Sequence, residues 1–347
     1  TTTEDLGRGG RLTAFFMDEV ATFDEAMSYE ADAASYAVTY CRIFASTYVG
    51  ARGLFYEKAK KGKAARPAAK AAPPARTARA KDQAPDPTKA KGKEKPGLLD
   101  GKGLIRDLSG VIADIGSDTV GPKSLARLRK IRPESLPLVK GSPRIGACIA
   151  DPQKFIAIGL NYSDHAAESG LQVPKEPVVF TKQVSCLSGP FDDVTLPPKS
   201  KKSDWEVELG VIIGTRAKNI RKADALKYVA GYCTINDVSE REYQLERGLT
   251  WDKGKGCDTF GPIGPWLVTR DEVPNPQRLN MWLDLNGERM QTGNTRTMVF
   301  TVAKLVSYVS EFMTLMPGDV ITTGTPPGVG MGMLWTTPLA LFIQAPG

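Results

Sequence analysis

Short apolar runs alternate with turn residues over the second half of the chain. From residue 153 onward the runs KFIAIGL, PVVFT, WEVELGVIIG, VAGYCTIND, MWLDLNG and DVITTG are separated by Gly, Pro and Asn, which favour turns. Helical patterns occur at residues 222–229 and 301–314. Strands with few helices between them predict a β-rich, mostly antiparallel α+β fold rather than a doubly wound parallel sheet.

Three different patterns precede this region. Over residues 1–57, apolar side chains such as Phe16 and Val20 recur at helical steps, which predicts a helical segment. Residues 58–90 consist mainly of Lys, Ala, Pro and Arg without apolar periodicity, so we predict a disordered basic linker. Between residues 91 and 152, short apolar runs with Asp-Gly and Ser-Gly turns predict a small β-hairpin domain that includes a short helix at PKSLARLRKI.

The positive charge of the chain is concentrated in the linker. The formal net charge is +7, but residues 57–95 carry thirteen Lys or Arg and four Asp or Glu, which leaves about −2 for everything else. This basic segment has no interleaved aromatic residues and no recognisable motif. We therefore interpret it as a solvated linker and expect no nucleic-acid partner.

Cysteine usage and hydropathy indicate the compartment. The five cysteines lie far apart and include no C-x-x-C pair, which fits neither a disulfide scaffold nor a zinc site. There is no run of 18 apolar residues, and the first 30 residues are too acidic for a signal peptide. We expect a cytoplasmic protein with no membrane partner.

Three carboxylates are candidates for a metal site. Glu206 and Glu208 are two apart in a predicted strand, so their side chains emerge on the same face, and Asp237 ends a neighbouring apolar run. An exposed acidic strand face is the alternative interpretation. If the three side chains meet, an all-oxygen site suits Mg²⁺, Mn²⁺ or Ca²⁺ rather than zinc.

The single histidine of the chain is a candidate general base. His165 and Glu168 are three residues apart and would stack on one face of a helix, where the carboxylate orients the imidazole. An incidental surface histidine is the alternative. Two lysines in WDKGKGCDTF, Lys253 and Lys255, are each candidates to stabilise an oxyanion or to hold a substrate carboxylate, although a solvated loop lysine has the same pattern.

Seven segments, in this order, resemble the fumarylacetoacetate hydrolase superfamily. They are GLNYSDHAAESG, PVVFTK, LPPKSKKSDWEVELGVIIG, YVAGYCTINDVSEREYQ, KGKGCDTFGPIGPW, NTRTMVF and PGDVITTGTPPGVGMG. Residues 91–152 also look like the small N-terminal domain of bacterial members, particularly 2,4-diketo-3-deoxy-L-fuconate hydrolases and members labelled ureidoglycolate lyases. The resemblance implies a mixed β-sandwich roll over residues 153–347, usually as a homodimer.

The resemblance also implies a function and a set of site residues. The expected reaction is metal-dependent hydrolysis of a carbon–carbon bond in a 2,4-diketo acid of the acylpyruvate type. The implied residues are the Mg²⁺ (or Mn²⁺ or Ca²⁺) ligands Glu206, Glu208 and Asp237; the water-activating pair His165 and Glu168; the catalytic Lys255; and the substrate-binding Lys182, Gly324 and Thr325.

Other functions stay open at this point. The same residues also suit oxaloacetate decarboxylation, isomerisation or hydration, because each of these reactions passes through an enolate, and ureidoglycolate cleavage is a further alternative within the family. After GVGMG the chain reads MLWTTPLALFIQAPG instead of the family's usual final strands, and the first 90 residues match nothing in the family. An inactive, truncated relative with an interaction role is therefore a second interpretation.

Overall fold

The computed structural model describes residues 12–17, 40–45, 94–248, 250–285 and 288–333. Strands predominate among them. The strands are β1 (Leu12–Met17), β2 (Tyr40–Ala45), β3 (Lys95–Leu99), β4 (Ile105–Asp107), β5 (Arg144–Ile145), β6 (Phe155–Gly159), β7 (Val178–Lys182), β8 (Leu187–Ser188), β9 (Ser203–Asp204), β10 (Val207–Ile213), β11 (Val229–Asn236), β12 (Ser239–Glu240), β13 (Gly261–Thr269), β14 (Asn280–Leu285), β15 (Glu288–Asn294) and β16 (Val320–Thr322).

The helices are short, apart from one of three turns. They are α1 (Pro122–Leu128), α2 (Ser163–Glu168), α3 (Arg241–Leu245), α4 (Asp252–Lys255), α5 (Val302–Phe312) and α6 (Gly330–Met333). Single 3₁₀ segments lie at Pro133–Ser135, Val184–Cys186, Lys222–Tyr228, Arg270–Glu272 and Thr295–Thr297. Among the described helices, none combines the length and apolarity that a membrane crossing requires.

A curled mixed sheet organises the described part of the chain. Its main path runs β4-β3-β2-β13-β11-β10-β16-β6-β7, with β5 beside β2 and β8 beside β13. The central pairs β10–β11, β11–β13, β10–β16 and β6–β7 are antiparallel, whereas β16–β6 and β2–β13 are parallel. A second sheet has the order β1-β14-β15, and β9 pairs with β12. The predicted β-rich α+β fold is confirmed.

Strand β10 lies at the centre of this sheet and is buried along its whole length. Its odd-numbered residues, such as Val207 and Leu209, join one apolar cluster, and Ile212 joins the cluster on the opposite face. Because side chains alternate along a strand, Glu208 and Gly210 share the face of Ile212. One glutamate is therefore carried into the interior by a strand that is otherwise apolar.

Helix α5 covers the first of these clusters. Its buried residues Val302, Leu305, Val306 and Val309 recur at steps of one, three and four and all belong to that cluster. The Thr301 hydroxyl accepts a hydrogen bond from the Lys304 N–H and so caps the first turn. The helix predicted at 301–314 is thus confirmed, whereas the one predicted at 222–229 is a 3₁₀ helix.

The local elements predicted between residues 91 and 152 are present. Strands β3 and β4 form an antiparallel hairpin whose turn is held by Asp100 Oδ1, which accepts hydrogen bonds from the N–H groups of Lys102 and Leu104. The short helix begins at Pro122, and proline is favoured in the first turn of a helix because its missing N–H needs no partner there. The boundary between residues 152 and 153 stays a prediction.

The N-terminal segment differs from its prediction. Residues 12–17 and 40–45 are strands rather than helix; β1 pairs with β14, and β2 lies between β13 and β3. A short apolar run fits a strand as well as a helix, and pairing with neighbouring strands decides between them. The rest of residues 1–57, the predicted linker at 58–90 and the stretch after residue 333, for which the sequence predicts a departure from the family, lie outside the described residues.

Gly231 offers a test of how closely the central strands pack. A Cβ at Gly231 in β11 would lie 2.1 Å from the Val268 carbonyl oxygen in β13. Because backbone cannot yield as a side-chain end can, we expect Gly231→Ala to lower the free energy of unfolding by about 1–3 kcal/mol. Gly110→Ala is the matched control, because nothing lies within 4 Å of its Cβ position. Equal stability of the two variants in urea denaturation would contradict this packing.

Candidate active site

The three predicted metal-ligand carboxylates meet where β10 begins and β11 ends. The two strands are antiparallel with Glu208 opposite Ile235, and the Asp237 N–H donates to the Glu206 carbonyl at 2.8 Å. One carboxylate oxygen from each of Glu206, Glu208 and Asp237 lies within 4.8 Å of the others. All three are buried, so the alternative of an exposed acidic face does not hold.

Basic side chains neutralise two of these carboxylates. Lys255 Nζ lies 2.8 Å from both Glu206 Oε2 and Asp237 Oδ2. Arg241 Nη2 lies 2.6 Å from Glu206 Oε1, and Lys182 Nζ donates to Asp237 Oδ1 at 2.6 Å. Burial disfavours the charged form of Glu206, but Lys255 and Arg241 outweigh it and hold the pKa of Glu206 below its ordinary value.

Glu208 has a different environment. Its Oε2 accepts hydrogen bonds from the Thr322 hydroxyl and, at 2.7 Å, from the Gly324 N–H. No ion pair among the described residues involves Glu208. Burial, and then the negative charges of Asp237 and Glu206, raise the pKa of Glu208 well above its ordinary value. The Glu208 carboxylate is therefore buried and hydrogen-bonded, and a nearby cation would favour its charged form.

The donor set fits a divalent cation. It consists of carboxylate oxygens, which are the ligands that Mg²⁺, Mn²⁺ and Ca²⁺ prefer. A cation bound there would give Glu208 the positively charged partner that it lacks among the described residues. The Lys255 ammonium bridges Glu206 and Asp237 across the same cluster, which indicates that positive charge is already favoured at this position.

The predicted histidine pair is also formed. His165 and Glu168 lie on α2, and His165 Nδ1 is 3.2 Å from Glu168 Oε2. His165 is buried to 6% exposure. Glu168 also accepts from the Gly328 N–H, at 2.9 and 3.1 Å to its two oxygens. An imidazole paired through Nδ1 keeps Nε2 for chemistry.

One loop connects the histidine pair to the carboxylate cluster. The Gly324 N–H donates to Glu208, and four residues later the Gly328 N–H donates to Glu168. Four residues span at most about 14 Å when extended, so the two N–H donors that hold Glu208 and Glu168 lie within that distance of each other. Both glycines have positive φ values, 93° and 100°, which side chains with a Cβ rarely adopt. The loop conformation thus depends on glycine at both positions.

The predicted substrate-binding residues are close to the cluster but already engaged. Lys182 Nζ donates to Asp237, to the Lys255 carbonyl oxygen and, at 3.4 Å, to the Val238 carbonyl oxygen. The Thr325 hydroxyl donates to the Val207 carbonyl oxygen at 2.9 Å. An ammonium group has three donors, so these contacts account for all those of Lys182.

Two site residues escaped the sequence analysis. Arg241 binds Glu206 and, through Nε and Nη2, Asp204 Oδ2 at 2.8 and 2.6 Å. A signal for it exists, since Arg241 follows Asp237 by four residues in an otherwise acidic stretch. Gln291 in β15 is fully buried beside Thr325, and nothing in its local sequence distinguishes it from an exposed strand residue. Lys253, in contrast, points away and donates to the Arg247 carbonyl oxygen.

Comparison with known proteins agrees with this geometry. Residues 154–345 match the model of the fumarylacetoacetate (FAA) hydrolase C-terminal domain. A protein of Burkholderia cenocepacia described as a hydrolase is 64% identical over 254 residues, which are 73% of this chain and 89% of the relative.

Solved structures show the same fold. An HpcE protein from Mycobacterium smegmatis is 38% identical with a TM-score of 0.61, over 70% of this chain and 88% of that one. A fumarylacetoacetate hydrolase from Exiguobacterium antarcticum is 33% identical with a TM-score of 0.58, over 68% and 84% of the two chains. A Mycobacterium abscessus protein described as a 2-hydroxyhepta-2,4-diene-1,7-dioate isomerase is 32% identical with a TM-score of 0.56, over 70% and 84%. With its acidic cluster, histidine pair and curled mixed sheet, this chain belongs to the fumarylacetoacetate hydrolase family.

Proposed function

We propose that this protein is a divalent-metal-dependent hydrolase that cleaves a carbon–carbon bond in a 2,4-diketo acid of the acylpyruvate type. The products are pyruvate and a carboxylic acid. The observation that carries the proposal is the loop that ties His165–Glu168 to the cluster of three carboxylates. The same loop thus contacts both the proposed water-activating pair and the proposed enolate-stabilising cluster.

The metal would be held by Glu206, Glu208 and Asp237. Mg²⁺ is the expected ion, and Mn²⁺ or Ca²⁺ would suit the same oxygen ligands. When bound, the ion polarises the keto group next to the substrate carboxylate and stabilises the negative charge of the departing enolate. We assign the carboxylate end of the substrate to the loop that carries Gly324 and Thr325, where its binding would replace the hydrogen bond of the Gly324 N–H to Glu208 or that of the Thr325 hydroxyl to the Val207 carbonyl oxygen.

The proton-transfer work falls to the histidine pair. Glu168 fixes the imidazole through Nδ1, so that Nε2 takes a proton from water. The resulting hydroxide adds to the carbonyl at carbon 4. The bond between carbons 3 and 4 then breaks, and its electron pair leaves with carbon 3 as the pyruvate enolate. The proton held by His165 passes to carbon 3, while carbon 4 leaves as the carboxylic acid.

Lys255 would assist this step by its charge. Its ammonium group is 2% exposed and lies beside Glu206 and Asp237. A positive charge in a buried site stabilises an oxyanion far better than the same charge in water, because water does not screen it. We assign Lys255 to the oxyanion that forms at carbon 4.

Isomerisation is the second candidate function. The histidine pair and the cluster could equally move a proton on a bound enol without adding water, because that reaction uses the same base and the same enolate. The Mycobacterium abscessus relative described as an isomerase favours this alternative.

Replacement of the general base tests the proposal directly. We expect His165→Ala to lower the rate of acylpyruvate hydrolysis by about 10²- to 10⁴-fold in the presence of Mg²⁺, because water loses its proton acceptor. The increase in melting temperature caused by Mg²⁺ should stay, since His165 is not among the carboxylate ligands. Glu134→Gln, which changes an exposed residue outside the site, is the control. Full activity of His165→Ala would exclude the assignment.

The metal site has its own test. We expect Glu208→Gln to melt no lower than the wild type without metal, because the amide oxygen still accepts from Gly324 and the crowding of three carboxylates is relieved. Saturating Mg²⁺ at about 100 times its Kd should stabilise the wild type by roughly 2.7 kcal/mol but not the variant. If the wild type unfolds cooperatively but Mg²⁺, Mn²⁺ and Ca²⁺ do not change its melting temperature, the interpretation as an inactive relative is favoured instead.

A substrate panel separates the candidate reactions. We expect the Mg²⁺-loaded protein to turn over an acylpyruvate faster than oxaloacetate, ureidoglycolate or a 2-hydroxy-2,4-diene dioate, because among these only the acylpyruvate offers a keto carbonyl at carbon 4 to the water that His165 activates. Product identity by chromatography and proton exchange by NMR distinguish hydrolysis from isomerisation. Predominant isomerisation without cleavage would replace the first function by the second.

A further inference from the structure

The buried amide of Gln291 bridges two parts of the active site. Its Oε1 accepts a hydrogen bond from the Val207 N–H at 2.8 Å. Its Nε2 donates to the Thr325 hydroxyl oxygen and to the Pro326 carbonyl oxygen, both at 2.8 Å. The side chain has no exposure to solvent, and its single acceptor group and both N–H donors are engaged. A neutral side chain thus holds a strand on one side and a loop on the other.

Both partners of this bridge carry site residues. Val207 stands between Glu206 and Glu208 in the sequence, so its backbone fixes the spacing of two carboxylates. The Thr325 hydroxyl, which accepts from Gln291, donates in turn to the Val207 carbonyl oxygen at 2.9 Å. Gln291, Thr325 and Val207 therefore form a closed set of hydrogen bonds between the carboxylate strand and the loop that begins at Gly324.

Strand β15 contacts the same loop at two further points. A Cβ at Gly293 would lie 2.2 Å from Pro326 Cβ, and a Cβ at Gly328 would lie 2.0 Å from the Met290 carbonyl oxygen. Residues 290–293 thus lie directly against residues 325–328. Because Gly328 also donates to Glu168, the position of β15 bears on the histidine pair as well as on Thr325.

We propose that Gln291 is a positioning residue that sets the distance between the carboxylate cluster and the loop that receives the substrate's carboxylate end. This inference rests on the proposed function. Gln291 is uncharged and touches none of the reacting groups, so it acts through geometry alone. A displacement of about 1 Å in a positioned group costs roughly a hundredfold in rate, so the loss of a single bridge of this kind can lower the rate strongly.

Binding of oxalate provides a test that does not require turnover. Oxalate has the planar pair of oxygen functions of a pyruvate enolate, and its affinity should depend on both the metal and the loop. We expect Gln291→Met to raise the Kd of oxalate for the Mn²⁺-loaded protein by about tenfold to a hundredfold, because the loop loses the amide bridge to the Val207 N–H and keeps only the direct hydrogen bonds of Gly324 and Thr325 to β10. The Kd of Mn²⁺ itself, measured by EPR without oxalate, should be unchanged.

Gln277→Met is a matched control. Gln277 is also a glutamine whose amide is fully engaged, although it is only partly buried: its Oε1 accepts from the Val302 N–H at 2.7 Å, and its Nε2 donates to the Thr295 carbonyl oxygen and to Met298 Sδ. These contacts do not involve the loop of residues 324–328. We expect this variant to lower the melting temperature and to leave both dissociation constants unchanged.

Two outcomes would overturn the inference. An unchanged oxalate Kd in Gln291→Met would make Gln291 a stabilising residue only, and a parallel loss of Mn²⁺ and oxalate binding would place its effect on the carboxylates instead of the loop. If Gln291→Met does not fold, Gly293→Ala tests the same link, because its Cβ displaces Pro326 while the amide stays. The same split between oxalate and Mn²⁺ is then expected, and its absence overturns the inference. Acylpyruvate turnover by the wild type is measured separately. If the wild type does not turn over acylpyruvate, but the variant binds oxalate more weakly and Mn²⁺ equally well, the proposed reaction is refuted and the role of Gln291 is not.

Discussion

The charge balance of one buried cluster constrains much of this structure. Three carboxylates are buried, and burying an ionised group without compensation costs several kcal/mol. Lys182, Lys255 and Arg241 supply the compensation for Glu206 and Asp237. These residues come from β7, α4 and α3, so the helices and strands around β10 must meet at one place for the fold to be stable.

The charge compensation does not extend to Glu208, which accepts hydrogen bonds but forms no ion pair among the described residues. A fully neutralised cluster would gain little from a metal, whereas a carboxylate with a raised pKa gains its charged form when a cation arrives. The structural cost of Glu208 and the metal affinity proposed for the site have the same origin. Stability of the protein and readiness for chemistry are linked here through one residue.

Glycine makes the second half of the site possible. The loop after β16 passes close to β15 and turns through positive φ at Gly324 and Gly328, where backbone N–H groups point at Glu208 and Glu168. A side chain at Gly328 would collide with the Met290 carbonyl group. The loop thus uses backbone rather than side chains to bind the carboxylates of Glu208 and Glu168, and the buried Gln291 donates to it at Thr325 and Pro326.

The sequence by itself determined the local spacing of the candidate site residues. The spacing of Glu206 and Glu208 follows from the two-residue period of a strand, and that of His165 and Glu168 from the turn of a helix, so both pairs could be predicted. Only the tertiary structure decided which cation faces which carboxylate, that residues 12–17 and 40–45 are strands, and that Arg241 and Gln291 belong to the site. Gln291 lies 84 positions from Val207 in the chain, and a contact across such a separation depends on how the sheets pack and leaves no periodic pattern in the sequence.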